Sequence, residues 1–408
     1  MNIASLSLFG IAIIAMPITY ATKTIFDLNL IWIDPTLLLT LGLFFVVRPQ
    51  INSQDKIITL ILFVSSLISA CVGNFYLNPR GDIQSALYDI FREPIKLWLN
   101  LLFYLLSKHY LKNHRVFTLK VYSVSIILQF CIAIYFWLFN FGIVSIPGSL
   151  GDFCTEASLR QSVVVMGMVV PRAIGTFWES PPLGLFMLAG FLIMYSEIYC
   201  ESNRTILNVT GCIISLLGVI VSLADQVLLG LVVFFLLGTV HYSLKYKKIL
   251  LLGGIVLFGL FLMSFLINHV YMKMDYDFAQ GSMGERLYHT SLALSLLIDK
   301  PFMALFGIGP GRYGEYAAVF GLFPPTVTIQ VAPVEIFVEY GFLGVITFFV
   351  TGIYLLKTSM KLDGFLGNVS LVSLLLANAF QANWKWEAFF FSLAYFSVCK
   401  SISTIKNN

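Results

Sequence analysis

The chain has 408 residues, of which 58% are hydrophobic and 11% are charged, and its formal net charge is +4. A soluble domain carries about a quarter charged residues, and here the deficit runs along the whole chain, with a mean hydropathy of +0.87. This composition excludes a soluble domain held by one anchor. Segments of alternating apolar and polar residues do not occur in the sequence, which excludes an outer-membrane barrel.

Twelve apolar segments follow one another along the chain, each near the length that a membrane-crossing helix needs. The bilayer core is about 30 Å thick, so a span takes about 20 mostly apolar residues. We therefore predict an all-α, polytopic integral membrane protein, a single transmembrane domain over residues 1–408 with about 12 transmembrane helices. The predicted spans lie near 3–20, 28–47, 57–76, 93–110, 117–146, 182–200, 205–222, 226–243, 249–270, 333–356, 366–380 and 386–400.

The first apolar segment has no Lys or Arg before it, which predicts an uncleaved span rather than a signal peptide. The six cysteines are scattered, mostly in apolar runs and without the spacing of metal ligands. They lie at positions 71, 131, 154, 200, 212 and 399. We therefore expect neither a zinc site nor a disulfide framework.

The stretch from Thr205 to Val240 is too long for one span and crowded for two. Asp225-Gln226 in its middle is typical of a turn and a helix cap. We predict two short helices that meet below the outer surface and leave a recess there.

Basic residues predict the orientation, because cytoplasmic loops are enriched in Lys and Arg. With a cytoplasmic N-terminus, fourteen basic residues fall inside and eleven outside, and the clusters 108–120 and 245–248 both fall inside. Counting 205–240 as one span would move the second cluster outside, which favours two. Both termini are then cytoplasmic, and the two longest external loops are 147–181 and 271–332.

The kind of base differs between the two sides. The inside set has three Arg and eleven Lys, whereas the outside set has six Arg and five Lys. Arginine presents a planar fork that binds phosphate through paired hydrogen bonds. The external arginines therefore predict a site for an anionic lipid headgroup. The alternative is that they form ordinary loop salt bridges with the acids Asp152, Glu156, Glu179, Asp275, Asp277 and Glu285.

The segment 171–184 precedes the sixth span and opens on Pro171-Arg172. Pro181 and Pro182 are typical of a helix start, which places Arg172, Trp178 and Glu179 at the membrane surface. An aromatic ring beside polar groups suits a sugar face. The alternative is that Trp178 belongs to the interfacial aromatic belt.

The segment 284–301 has a helical apolar rhythm but is too short for a span. We predict a helix that lies on the membrane surface, with Arg286 and His289 on one face near its N-terminus. His289 is a candidate general base, although a lone histidine is more often structural.

Three glycines follow in Phe306-Gly-Ile-Gly-Pro-Gly-Arg-Tyr313. Gly309 and Gly311 permit tight turns and close backbone approach to a ligand. A nucleotide-binding loop is excluded because no strand precedes the glycines and they lie on the side without nucleotides. We predict a turn that brings Arg312 back over the site; a plain connecting turn is the alternative.

Glu335 and Glu339 stand four residues apart at the outer start of the next span. They therefore share a helix face, and ionisable residues at membrane depth are usually functional. The alternative is that Glu339 only neutralises a nearby arginine.

Four motifs occur in order between residues 165 and 350: R-x-x-G-x-F from Arg172, Glu285-Arg-Leu287, Gly307-Ile-Gly-Pro-Gly311 and E-x-G-x-x-G from Glu339. Together they resemble the O-antigen ligase and O-antigen polymerase (Wzy) superfamily of bacterial membrane glycosyltransferases. Members of the ligase branch are expected to have His-Asn about nine residues before the E-x-G. Gln330 stands there in this chain, which favours the polymerase branch.

The resemblance implies a GT-C-like, metal-independent transferase in the bacterial inner membrane, with its site on the periplasmic side. It would act on undecaprenyl-pyrophosphate-linked repeat units, with no cofactor and no nucleic-acid partner, in a lipid membrane beside a chain-length regulator. The resemblance supports Arg172 and Arg286 as ligands of the donor pyrophosphate and does not identify a base, and the predicted turn adds Arg312 to these ligands. A carboxylate, with Glu339 as the candidate, or His289 would accept the acceptor proton. Trp178, Glu179, Glu335, Gly309 and Gly311 complete the predicted substrate site.

Two other functions remain open. One is a ligase that transfers finished polysaccharide to lipid A-core. The other is a lipid-linked oligosaccharide flippase, although such transporters often show two related halves and the sequence shows none. Two long external loops also have no obvious use in a flippase.

Overall fold

The computed structural model describes the chain in thirteen ranges. It covers residues 3–17, 35–77, 83–146, 162–165, 168–177, 179–200, 205–245, 282–299, 301–314, 329, 331–363, 366–379 and 387–398. Trp178, Gln330, the predicted span 249–270 and the side chain of Arg286 lie outside the described residues. So do parts of both predicted external loops, namely 147–161, 166–167, 271–281, 300 and 315–328.

The described residues form thirteen α-helices and one hairpin of two short strands. The helices are α1 Ile3–Ala15, α2 Pro35–Val47, α3 Ser53–Leu77, α4 Ile83–Asn113, α5 Arg115–Asn140, α6 Ser180–Cys200, α7 Ile206–Ser222, α8 Asp225–Lys245, α9 Ser282–Asp299, α10 Pro301–Phe306, α11 Ala332–Asp363, α12 Leu366–Ala379 and α13 Glu387–Val398. The predicted helical fold is thereby confirmed in this part of the chain.

Five of these helices are long and apolar enough to cross a membrane, which confirms a membrane-embedded protein. They contain the candidate spans Ser53–Asn74, Arg115–Asn140, Ser180–Tyr199, Asp225–Ser243 and Ala332–Thr358. Five more apolar helices are shorter, with 10–17 residues. The total of about 12 spans stays a prediction.

The stretch 205–245 forms two helices, as predicted. The Thr205 hydroxyl caps α7 by accepting the Asn208 N–H at 3.2 Å, and α7 ends at Leu223, whose φ of 48° is left-handed. Helix α8 begins at Asp225. It runs for 21 residues, so the prediction that both helices are short is wrong for α8. The recess near Asp225 stays a prediction.

The hairpin was not predicted, and the expectation of a purely α-helical chain is corrected to that extent. Strands β1 Ser162–Val165 and β2 Met168–Pro171 pair antiparallel, with Ser162 opposite Pro171. Valines dominate both strands, and β-branched side chains favour extended backbone. Four-residue strands are too short to be recognised among apolar segments of about 20 residues.

Helices α3 and α11 run antiparallel and contact each other along their length. The Tyr354 hydroxyl donates to Asp55 Oδ1 at 3.0 Å near the start of α3, and the Thr347 hydroxyl lies 3.4 Å from that of Ser65 near its middle. The two ends of α3 define the two ends of the helix bundle, which we call the Asp55 end and the Asn74 end.

The directions of other helices follow from their contacts with this pair. Lys108 of α4 binds Asp55, and α5 begins two residues after α4 ends, so α5 starts at the Asp55 end and finishes at the Asn74 end. Segment 171–177 reaches the finishing end of α5, because Trp137 Nε1 donates to the Pro171 carbonyl at 2.8 Å. The hairpin therefore lies at the Asn74 end.

Two ion pairs, with Tyr354 of α11 and Tyr395 of α13 bound to their carboxylates, join six helices at the Asp55 end. Asp55 accepts from Lys108 Nζ at 2.8 and 2.9 Å. Glu197 of α6 accepts from Arg115 Nε of α5 at 2.9 Å and from the Tyr395 hydroxyl of α13 at 2.8 Å. Buried charges of this kind persist only when they are paired and hydrogen-bonded.

Candidate functional site

The glycine-rich turn after α10 packs on the start of α11. The Ile308 N–H donates to the Val338 carbonyl at 2.9 Å, and the Gly309 N–H donates to the Glu339 carbonyl at 3.0 Å. Two motifs about 30 residues apart in sequence are thereby joined backbone to backbone.

Helix α11 breaks at Gly341, whose backbone (φ 65°, ψ −166°) is not helical. The break frees the carbonyls of the preceding turn for the bonds from Ile308 and Gly309. A Cβ at Gly307 would overlap the Glu339 carbonyl, and a Cβ at Gly341 would overlap the backbone of Leu305 and Gly307. Glycine is needed at both positions, because the two backbones touch and both φ angles are positive.

The end of α3 forms a third wall of this unit. The Ser69 hydroxyl donates to the Glu339 carbonyl. Gly73 lies against the Ile308 carbonyl, with no room for a Cβ. The site therefore contains part of the N-terminal third of the chain, where the superfamily resemblance is one of hydropathy alone.

Arg312 lies in this unit with its guanidinium directed at α3. Its Nη1 donates to Asn74 Oδ1 at 2.5 Å, and its backbone N–H lies 3.4 Å from the Gly309 carbonyl. Arg312 is 6% exposed and Asn74 is 4% exposed. The predicted turn thus brings Arg312 back onto the helices of the bundle, to a buried position.

Glu93 of α4 faces the same turn from the other side. A Cβ at Gly311 would lie 2.9 Å from Glu93 Cγ. The Glu93 carboxylate lies 3.3 Å from Arg92 Nε, and the Arg92 side chain is half-exposed. Among the described residues, Arg92 and Glu93 thus add charged groups to the surroundings of Arg312.

His289 of α9 connects to the turn through Tyr313. The Tyr313 hydroxyl donates to the His289 carbonyl at 3.1 Å and lies 3.3 Å from His289 Nδ1. His289, Ala293 and Leu297 form the buried face of α9, whereas Tyr288 is half-exposed. A helix was predicted here, and its position on the membrane surface stays a prediction.

Burial raises the pKa of Tyr313 to about 12, and the nearby Tyr288 adds to this effect. The Tyr313 hydroxyl is therefore protonated at neutral pH and remains a hydrogen-bond donor to His289.

Glu335 and Glu339 lie one turn apart on α11, before the break at Gly341. They are 6% and 4% exposed, so both carboxylates belong to the interior at the Asn74 end.

Arg172 lies at the Asn74 end but against other helices. The Pro171 carbonyl binds Trp137 of α5, and the Ala173 N–H donates to Val221 of α7 at 3.2 Å. Arg172 is half-buried between these anchors.

The short 3-10 helix Gly175–Phe177 fixes the rest of this segment. The Thr176 hydroxyl lies 2.6 Å from the Pro17 carbonyl and 2.9 Å from Gln129 Oε1. Glu179 is half-buried just before α6. All the predicted site residues whose side chains are described thus share one end of the bundle, in two groups around Arg172 and Arg312.

The described residues contain no metal site and include a small cleft. No group of three or more His, Cys, Asp or Glu side chains is placed to hold a metal ion there. A small apolar cleft of about 10 Å³ lies at the Asn74 end between α6, α12 and α13, lined by Pro182, Phe186, Asn378 and Phe389 among others. A cleft of this size holds about one water molecule, so it is not the site of a glycan.

Comparisons with protein-family models, with curated proteins and with solved structures find no match to this chain.

Four residues of the site were missed by sequence reasoning. Ser69, Gly73 and Asn74 belong to an apolar span, and Glu93 opens another. The signal for the first three is a set of small residues, Ser65, Ser69 and Gly73, at a spacing of four on α3, ending in a polar amide at the end of the span. Such a row permits close helix packing, but it does not say which segment packs on it.

Proposed function

We propose that the chain is a polysaccharide polymerase of the O-antigen polymerase type, a GT-C-like membrane glycosyltransferase. It moves a growing glycan from undecaprenyl pyrophosphate onto a newly supplied lipid-linked repeat unit. The Asn74 end of the bundle faces the periplasm, and both termini are cytoplasmic in the bacterial inner membrane. The reaction needs no metal or cofactor, because the donor is already activated by its pyrophosphate.

The observation that carries the proposal is the joining of two resemblance motifs into one unit. The glycines 307–311 and the E-x-G of α11 share backbone hydrogen bonds, and the turn that they form carries Arg312, whose guanidinium binds Asn74 of α3. Arg172 of a third motif lies at the same end. A polymerase needs fixed cations at one membrane face, where its lipid-linked donor presents a pyrophosphate.

In the proposed reaction the acceptor hydroxyl oxygen bonds to the anomeric carbon of the donor sugar. The bond from that carbon to the pyrophosphate oxygen breaks, and undecaprenyl pyrophosphate leaves with the electron pair. Arg172, Arg286 and Arg312 stabilise the negative charge that develops on it. The acceptor proton passes to Glu339 or to His289.

Deletion of the gene in its own bacterium tests the proposal against its two alternatives. Loss of a polymerase leaves lipid A-core capped with a single repeat unit, whereas loss of a ligase or a flippase leaves uncapped core. Surface glycans separated by size distinguish these outcomes. Long chains in the deletion strain, or uncapped core, contradict the proposal.

A further inference from the structure

We propose that Asn74 of α3 is a positioning residue that orients the Arg312 guanidinium for a pyrophosphate group. This inference rests on the proposed function and extends its site to a helix outside the four motifs. The juxtaposition that carries it is a buried arginine bound to a buried neutral amide 238 residues away in sequence.

The contact is specific in its geometry. Asn74 Oδ1 accepts one N–H of Arg312, and a guanidinium has five N–H donors in a fixed fork. Fixing one of them restricts the orientation of the whole group, since the fork is rigid. Arginine loses much side-chain entropy when it is ordered, so a partner that orders it beforehand improves later binding.

The chemistry of the partner matters as much as its place. An amide oxygen accepts the hydrogen bond without a formal charge, so this bond orients Arg312 and adds no negative charge beside it. A carboxylate at the same place would also accept the bond, but it would neutralise the attraction for an anion. The charge effect is large in a poorly solvated site.

The position of Asn74 is itself fixed by the backbone around it. Gly73 lies directly on the Ile308 carbonyl, and Ser69 one turn earlier binds the Glu339 carbonyl. The end of α3 therefore holds both the turn that carries Arg312 and the turn that carries Glu339. A shift of α3 would move both side chains together.

The test compares Asn74→Ala and Asn74→Asp with a matched pair at Asn378. Asn378 is a buried asparagine at the same end of the bundle, and its Nδ2 donates to the Leu374 carbonyl of its own helix. The full-length protein is purified in lipid nanodiscs and titrated with undecaprenyl pyrophosphate and, separately, with undecaprenyl phosphate. The unfolding temperature of each variant is measured in parallel.

We expect Asn74→Ala to weaken undecaprenyl pyrophosphate binding about 10- to 100-fold, as for one hydrogen bond to a charged group. Asn74→Asp keeps the hydrogen bond and the unfolding temperature, yet weakens binding at least as much. The two lipids separate a pyrophosphate site from a general phosphate site, because the loss is larger for the pyrophosphate. Both Asn378 variants bind as the natural protein does.

Natural affinity in Asn74→Asp at an unchanged unfolding temperature would overturn the inference, because a purely structural partner tolerates the carboxylate. Equal losses for the two lipids would also overturn it. Failure of the natural protein to bind either lipid would instead remove the proposed function and, with it, this inference. The two failures are thus distinguishable.

Discussion

Gly307 and Gly341 meet backbone to backbone where the turn after α10 enters the break in α11. A Cβ on Gly341 would lie 2.5 Å from the Gly307 nitrogen. The contact explains why the glycine motif and the E-x-G motif work as one structural unit, and it determines where Glu339 and Arg312 lie.

Substitution at this contact is expected to destabilise the protein. Gly341→Ala adds a Cβ that overlaps Leu305 and forces a positive φ on alanine, and we expect a loss of about 2–4 kcal/mol in the free energy of unfolding. Gly352→Ala in the same helix is the control, since nothing lies within 4 Å of its added Cβ. The control is expected to be neutral or up to about 1 kcal/mol more stable. Equal unfolding temperatures for the two variants would contradict the contact.

Removal of the Arg312 charge is expected to reduce polymerisation. We expect Arg312→Ala to lower kcat about 10²- to 10³-fold, as for loss of one group that stabilises developing charge. Arg92→Ala is the control, because Arg92 lies near the same turn but is half-exposed. Glycan length in a complemented deletion strain gives a first measurement, and turnover of purified protein gives the second. Long glycan from Arg312→Ala would remove Arg312 from the site.

The arginine of the E-R-L motif is expected to be essential. We expect Arg286→Ala to abolish polymer while the protein stays folded and inserted, because Arg286 lies in the first two turns of α9, three residues before the buried His289. Protein level in the membrane is the check on folding. Normal long chains from this variant would exclude Arg286 from the mechanism.

Two side chains are candidates for the general base that accepts the acceptor proton, and substitution of each distinguishes between them. His289 is bound to Tyr313 and lies on the buried face of α9, whereas Glu339 precedes the break in α11. We expect Glu339→Gln to lower kcat about 10²- to 10⁴-fold with little change in KM, as for loss of a general base. The smaller loss is expected for His289→Gln, which keeps a hydrogen-bonding side chain beside Tyr313. The reverse order of the two losses would assign the base to His289.

The ion pair at the Asp55 end is expected to contribute to stability rather than to chemistry. Lys108→Met leaves the buried Asp55 without its cation, and removing one partner of a buried pair costs about 3–5 kcal/mol. The Lys108 side chain is 20% exposed, so we expect the lower end of that range. Lys56→Met, at an exposed position one residue from Asp55, is the control. The unfolding temperature measures both, and equal values would show that the pair contributes nothing.

Most helices could be predicted from the sequence, because an apolar segment in a bilayer must satisfy its own backbone and can do so only as a helix. The division into two helices at Asp225 could also be predicted, because the length of the stretch and the positions of the basic residues both required it. The break at Gly341 was not, because the apolar run through 333–356 continues across it and a lone glycine is tolerated in a helix.

The site was predictable only in part. Sequence motifs pointed to Arg312, Glu339 and the glycines, because charged residues and glycine clusters stand out in an apolar chain. Asn74 did not stand out, since its partner is 238 residues away and one asparagine at the end of a span has many ordinary roles. The pairing of Asp55 with Lys108 was hidden in the same way, because charges at the ends of spans usually face water.

Reconstitution of the purified chain tests the central claim most directly. Liposomes with this protein and undecaprenyl-pyrophosphate-linked repeat units, without nucleotide sugars and with EDTA, are expected to yield a ladder of glycans that grows by whole repeat units. Free undecaprenyl pyrophosphate is expected to appear in equal number to the bonds formed. A dependence on added divalent metal would contradict the metal-independent mechanism. Intact single repeat units, with the protein folded and inserted, would contradict the polymerase itself.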